Sequence, residues 1–204
     1  VTVHLYSLAN DHYSLKDILY VQQQEPFFPD PLDAVNADLH FTDLGEGQLW
    51  NTGTIEVQCR RLNHASYTSG FRLESAGKTF SYVSDTDLYG PRLHGEGMNT
   101  GSEDEKNQKR IELQKSALKL AQDTDLLVFD SFFLTDEYKD DWGHSKMEDA
   151  IRLGIEANAR RIAFFHHAPS RSDDQLDELV MHYSAEVSRG TNLIAAAEGD
   201  HFVL

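Results

Sequence analysis

A layered domain of sheet and helix is the fold class the sequence predicts, and three observations predict it. Strand-like segments follow one another through the first half of the chain. Strands alternate with helices through the second half. Leu126-Leu127-Val128-Phe129 and Ile162-Ala163-Phe164-Phe165 are apolar without interruption, as in buried strands.

In chain order, Val1 to Tyr6 carries the β-branched and aromatic content of a strand. Ser14 suits the N-cap of a helix over Leu15 to Leu19, and Asp17 at the third helical position completes a loose capping box. Pro26, Pro29 and Pro31, interleaved with Phe27 and Phe28, end that helix in a rigid loop. From Thr54, Ile55, Val57 and Cys59 alternate with Glu56 and Gln58, the period of a half-buried strand. Phe71 to Glu74 and Thr79 to Val83 are two further strands around a hairpin turn at Ser75-Ala76-Gly77-Lys78.

Leu88 to Gln108 is polar and carries Gly90, Gly95, Gly97 and Gly101, with an acidic run at Glu103-Asp104-Glu105. It is expected to be a long surface loop that borders a site. A helix follows from Glu105 to Gln122, then the strand through Phe129. Ser145 and Glu148 form a capping box for a helix reaching Asn158, with Met147, Ala150, Ile151 and Gly154 on one face. Arg161 to Phe165 is a strand, Asp173 to Arg189 a helix, and Leu193 to Ala197 a last strand.

The chain's 204 residues, 40% hydrophobic and 25% charged, fit a single domain over 1–204. Its 34 acidic and 18 basic residues leave a net charge of −16, which argues against a phosphate-tracking surface for DNA and disfavours RNA. A small anionic substrate stays compatible, because metal ions invert the local field. The single cysteine, Cys59, excludes an intrachain disulfide and a cysteine-based zinc site. Apolar runs fall far short of the roughly 20 residues that cross a bilayer. The expected setting is cytoplasmic, without a membrane. Because Val1 opens a strand, a start inside a larger domain is also expected.

Three residues with the chemistry of metal ligands follow strands. His64 comes after the strand through Cys59, Asp85 after the strand through Val83, and His166 after Phe165. Histidine and aspartate suit zinc, manganese or iron in hydrolytic sites, and a carboxylate such as Asp85 can bridge two ions. Asp130, which closes the run through Phe129, could orient a ligand or His144, or form a cap or turn. A turn role for Asp85 and a place beside a helix cap for His144 are the plainer readings. His4, His12, His40, His94, His182 and His201 show no supporting partner in the sequence and are expected to be ordinary polar residues.

Leu62-Asn63-His64 with Gly70-Phe71-Arg72, then Tyr82-Val83-Ser84-Asp85-Thr86, resembles two metal motifs of the metallo-β-lactamase-fold superfamily. The branch it resembles contains the transfer-RNA 3′-end endonucleases and related phosphodiesterases. Gly143-His144-Ser145 is similar to that branch's His-Ser/Thr motif. Phe165-His166-His167-Ala168-Pro169 is similar to its final metal-histidine segment, and Glu198-Gly199-Asp200 to its usual close. The resemblance spans the whole chain in the expected order. It implies a metallo-β-lactamase-like αββα sandwich and a binuclear hydrolase working through a metal-activated water. His64 would bind one divalent ion, Asp85 would bridge, and His166 would bind the other, with zinc first and manganese or iron as alternatives. His144 would serve as proton donor or oxyanion contact. Spacing to Pro169 favours His166 as the ligand, whereas Ser170-Arg171 favours His167, which is otherwise placed behind the ligands.

The sequence departs from that pattern in lacking an H-x-H-x-D-H segment. The expectation is that this motif lies upstream of Val1 and that this chain carries the later part of the fold. A complementary N-terminal segment or a second copy of the chain is then the expected partner. Small phosphodiesters such as cyclic nucleotides are the expected substrates. A non-catalytic or regulatory role, or hydrolysis of carboxylic esters, thioesters or lactams, are the alternatives.

Overall fold

In the computed structural model the described residues are all but 11, 96, 97, 188 and 189. The chain forms two compact units, Val1–Gln48 and Leu49–Leu204. In the first, β1 (Thr2–Leu8) pairs in parallel with β2 (Asp38–Leu44), and the connection runs through α1 (Leu15–Gln22) and a 3₁₀ turn at Leu32–Ala34. Ser14 caps α1 as expected, with its hydroxyl and the Asp17 carboxylate bonded reciprocally to each other's backbone N–H.

The second unit is built on a seven-stranded mixed sheet in sequential order: β3 (Leu49–Thr52), β4 (Ile55–Arg61), β5 (Ser69–Ser75), β6 (Lys78–Val83), β7 (Leu126–Asp130), β8 (Arg161–Phe165) and β9 (Asn192–Ala195). Neighbours from β3 to β6 are antiparallel, and those from β6 to β9 are parallel. The β5–β6 turn has positive φ at both Ala76 and Gly77, as the right-handed twist of a tight hairpin requires. Parallel neighbours need crossovers, and α2 (Glu103–Ala121), α3 (Met147–Glu156) and α4 (Asp173–Glu186) supply them. The crossovers step in one direction across the sheet, so their right-handedness sets the helices on one face. Leu120, Leu153 and Tyr183 from the helices share one core with Val83, Leu127, Phe129, Ile162 and Phe164 from the strands. Each such fully buried Leu or Phe is worth about 1.5–3 kcal/mol. Arg72 fastens α2 to the sheet by donating to the carbonyls of Leu120 and Gln122 at its C-terminal end, where a cation also meets the helix dipole.

Two local expectations are corrected. The acidic run at Glu103 is the first turn of α2, where carboxylates complement the helix dipole and Glu105 boxes with Ser102. Within the loop before it, Leu88, Leu93 and His94 are buried, whereas Pro91, Arg92 and residues 99–102 are exposed. Ser145 does not cap α3. Its hydroxyl donates to the Thr86 carbonyl at 2.6 Å and accepts from Leu88 N–H, while Asp149 reaches back to the Lys146 N–H. Gly97 and Arg189 lie outside the described residues.

One consequence of the strand directions positions the site. β4 is antiparallel to β5, and β5 to β6, so β4, β6, β7 and β8 all run the same way. Their carboxyl ends share one edge of the sheet, the edge where open sheets that contain parallel strands place ligands.

Candidate metal centre

Four side chains leave that edge. His64 follows β4, Asp85 follows β6, Asp130 ends β7 and His166 follows β8. His144 joins them from the segment before α3. Ligand atoms of Asp85, Asp130, His144 and His166 all lie within 4.8 Å of one another. His64 stands beside this group, its ring 5.0 Å from that of His144.

Local backbone aims each of them. His166 has φ of 59°, a left-handed conformation that costs a non-glycine residue about 1–2 kcal/mol and turns the chain sharply off the end of β8. The segment after β7 is tied to the start of α3 by Phe133 N–H to the Ser145 carbonyl and Met147 N–H to the Phe133 carbonyl. It is tied to the segment after β8 by Arg171, which donates to the Phe132 carbonyl at 3.1 Å and to Glu137 at 2.8 Å. His64 Nδ1 lies 2.9 Å from the Gly143 carbonyl oxygen. The carbonyl can only accept, so this contact puts the proton on Nδ1 and leaves Nε2 as a free lone pair. Gly143 has φ of 80°, and a Cβ there would come within 2.8 Å of that same His64 nitrogen.

His144 Nδ1 meets Asp130 Oδ2 at 2.8 Å, and the same oxygen accepts the Thr86 N–H at 2.9 Å. Burial pushes the Asp130 carboxyl above its ordinary range, against the pull of these bonds. For His144 burial acts downward, but the hydrogen bond to Asp130 and the charges of Asp130, Asp85 and Asp87 outweigh it and raise its pKa. The pair therefore keeps a shared proton to higher pH than an isolated imidazole would.

The remaining donors fit a cation. His166 Nδ1 is buried without a hydrogen-bond partner among the described residues. It faces Asp85 Oδ1 at 3.9 Å and Asp130 Oδ1 at 4.0 Å, too far for hydrogen bonds. Ligand atoms held about 2.1 Å from a shared ion stand roughly 3–4 Å apart, and imidazole with carboxylate is a donor set for zinc, manganese or iron. His167 is turned elsewhere, with Nε2 3.3 Å from the Ala196 carbonyl oxygen, and burial lowers its pKa.

The sequence reading missed His94. It is buried, with Nε2 3.1 Å from Asp87 Oδ2, an oxygen that also accepts the Tyr138 hydroxyl at 2.7 Å. Asn63, next to His64, secures the same loop by donating to the Asp87 and Arg92 carbonyls and accepting the His94 N–H. The acid at Asp87, seven residues before His94, was a weak signal; Tyr138 lies too far along the chain to suggest itself. His40, also set aside, pairs with Asp38 at 2.9 Å and stacks on His4.

No family model matches the chain. Ribonuclease Z of Sulfurisphaera tokodaii is 35% identical over 66 residues, covering 32% of this chain and 22% of that protein. The metallo-β-lactamase-fold protein YhfI from Bacillus subtilis superposes with a TM-score of 0.59 at 15% identity, over 95% of this chain and 61% of that one. Zn2+-bound PqqB from Methylobacterium extorquens gives 0.56 at 17% identity, over 95% and 60%. The short form of human tRNase Z gives 0.54 at 14% identity, over 82% and 61%. The chain thus spans about three fifths of these structures and about a fifth of that ribonuclease. This chain has the metallo-β-lactamase fold, and a stretch of 66 of its residues is similar in sequence to ribonuclease Z.

Proposed function

We propose that this chain carries the metal-holding and proton-donating edge of a metal-dependent phosphodiesterase for small phosphate esters such as cyclic nucleotides. One observation carries the reading. The unpaired His166 Nδ1 and the carboxylates of Asp85 and Asp130 face a common point beside an Asp130-backed His144.

His166 and Asp85 would hold one ion, and Asp85 would also take part in holding a second. His64 would offer its Nε2 to that second ion. Zinc suits this set first, manganese or iron next. A divalent ion bound there supplies Lewis acidity, acidifying water and drawing charge from a phosphoryl oxygen. The chain's own contribution is at His144. Its Nδ1 is anchored on Asp130, so Nε2 is the atom that presents a proton to a leaving oxygen. Asp130 keeps that imidazole oriented and strengthens its hold on the proton, and His167 packs behind the ligands.

The similarity to ribonuclease Z favours a second reading, cleavage of an RNA phosphodiester, against which the net charge of −16 weighs. Metal analysis and a substrate panel test both. The chain, supplemented with Zn2+ or Mn2+, is offered bis(p-nitrophenyl) phosphate, cyclic nucleotides, a lactone and a 3′-extended RNA. Bound metal with turnover of the small phosphodiesters, lost in His166→Ala and His144→Ala, is the expected result. Turnover of RNA alone selects the second reading. Activity on the lactone alone, or no bound metal, overturns both.

A further inference from the structure

The segment between β7 and α3 places an aromatic side chain where metal chemistry gives it no role. Trp142 is 48% exposed although it immediately precedes Gly143 and His144. Its ring meets Phe132 and Phe133 at 5.9 Å, at 54° and 62°, so neither ring lies flat against it. Phe132 links it to the site: that ring stacks on His144 at 5.2 Å and leans on His166 at 5.6 Å. A face of Trp142 is covered by the Lys139 ammonium, 4.3 Å from the ring centroid.

Lys139 differs from the other cations nearby. Arg92 is bound to Asp140, Lys146 to Asp149 and Arg171 to Glu137. Lys139 has no carboxylate within salt-bridge distance among the described residues, and its charge rests on the indole instead. A cation over an exposed ring gains little from it, so it is readily displaced. A planar π-system sliding onto Trp142 would regain that contact area and release the ammonium beside the ring. An anionic group attached to the incoming ring would then find Lys139 on one side and the metal-holding edge on the other.

We infer that Trp142 and Lys139 form a stacking and charge-pairing subsite that selects phosphate esters carrying a planar aromatic ring. The selection rests on the phosphodiesterase reading for its catalytic meaning but not for its measurement. The shared chemistry is a π-face joined to a phosphate, which a nucleotide or a simple aryl phosphate can both supply.

Isothermal titration of the full chain with adenosine 5′-monophosphate, phenyl phosphate and ribose 5-phosphate, with and without Zn2+, tests it. Stacking predicts that the two ring-bearing phosphates bind at least about tenfold tighter than ribose 5-phosphate. Adenosine 5′-monophosphate binding much tighter than phenyl phosphate marks a nucleobase as the ring, and equal binding marks any aryl group. Trp142→Leu keeps apolar bulk against Phe132 but has no π-face, so the preference should vanish; Trp142→Phe should retain part of it. Lys139→Ala should weaken both ring-bearing phosphates. Quenching of Trp142 fluorescence in a Trp50→Phe background reports the stack directly. Equal affinity for all three phosphates, absence of binding, or a preference that survives Trp142→Leu overturns the inference. A preference that holds while no phosphodiester is hydrolysed leaves the subsite standing and removes the activity.

Discussion

His144 Nδ1 and Asp130 Oδ2 lie 2.8 Å apart, with the Asp130 side chain wholly buried and the His144 side chain 13% exposed. Asp130 raises the affinity of His144 for its proton, against the opposing effect of burial. Asp130→Asn removes the charge and leaves the burial, so the His144 pKa should fall. A general acid must be protonated to work, so the basic limb of the kcat profile should move to lower pH. The rate should drop by about 10²–10⁴-fold with a smaller change in KM. A pH–rate series with bis(p-nitrophenyl) phosphate measures it, and an unmoved basic limb would remove His144 from the proton-donor role.

Gly143→Ala should damage metal binding without replacing any of the proposed ligands. The new Cβ would sit 2.8 Å from His64 Nδ1 and 3.3 Å from Cε1, on a backbone with φ of 80°. The backbone conformation alone should cost about 1–2 kcal/mol. Displacing the imidazole from its orienting carbonyl should weaken divalent-ion affinity by about 10–100-fold. Calorimetric titration with Zn2+ and a melting curve read the two effects separately.

Much of this arrangement could be read from the sequence because it depends on local order. Runs such as Leu126 to Phe129 identify buried strands, and His64, Asp85 and His166 each follow one. What escaped depends on pairing between distant segments. β3 has four residues and is held by its register with β4, and β2 is held by β1, so neither stands out alone. Ser145 and Glu148 have the spacing of a capping box, yet the Ser145 hydroxyl finds a better acceptor in the Thr86 carbonyl, 59 residues away. His94 looked unsupported because Tyr138 reaches their shared Asp87 oxygen from 51 residues along the chain. Convergence of these side chains on one sheet edge likewise needs strand directions, which spacing does not carry.

Asp87 should prove costly to remove. Its carboxylate is fully buried, Oδ2 holds His94 and Tyr138 together, and Oδ1 has no hydrogen-bond partner among the described residues. Asp87→Ala should destabilise the fold by about 3 kcal/mol, because it strands the buried His94 ring and the half-buried Tyr138 hydroxyl. Tyr138→Phe, which removes one donor and keeps the ring, should cost about 1 kcal/mol. Gly90→Ala tests the same packing, since a Cβ there would collide with the Asp87 carboxylate. Urea denaturation of the three variants ranks them, and a Tyr138→Phe loss equal to that of Asp87→Ala would contradict this account.

Asp125 should make stability depend on acid. Its Oδ2 accepts the Thr79 N–H at 3.0 Å, its Oδ1 pairs with Arg160 at 2.8 Å, and Lys78 lies 4.0 Å away. The Thr79 N–H bond leads, and with Lys78 and Arg160 it holds the carboxyl below its usual range despite burial. A carboxyl whose pKa is lower in the folded chain stabilises the fold at pH values above its unfolded pKa of about 3.9. That contribution is lost as pH falls through the lowered folded value, when both states become protonated. Asp125→Ala should therefore melt earlier than the parent at pH 7, by about 2 kcal/mol of stability. The gap between their melting temperatures should stay constant down to about pH 4 and narrow below it. A gap that does not change with acid would mean that the hydrogen-bonding shape of Asp125, and not its charge, holds β6 against β7.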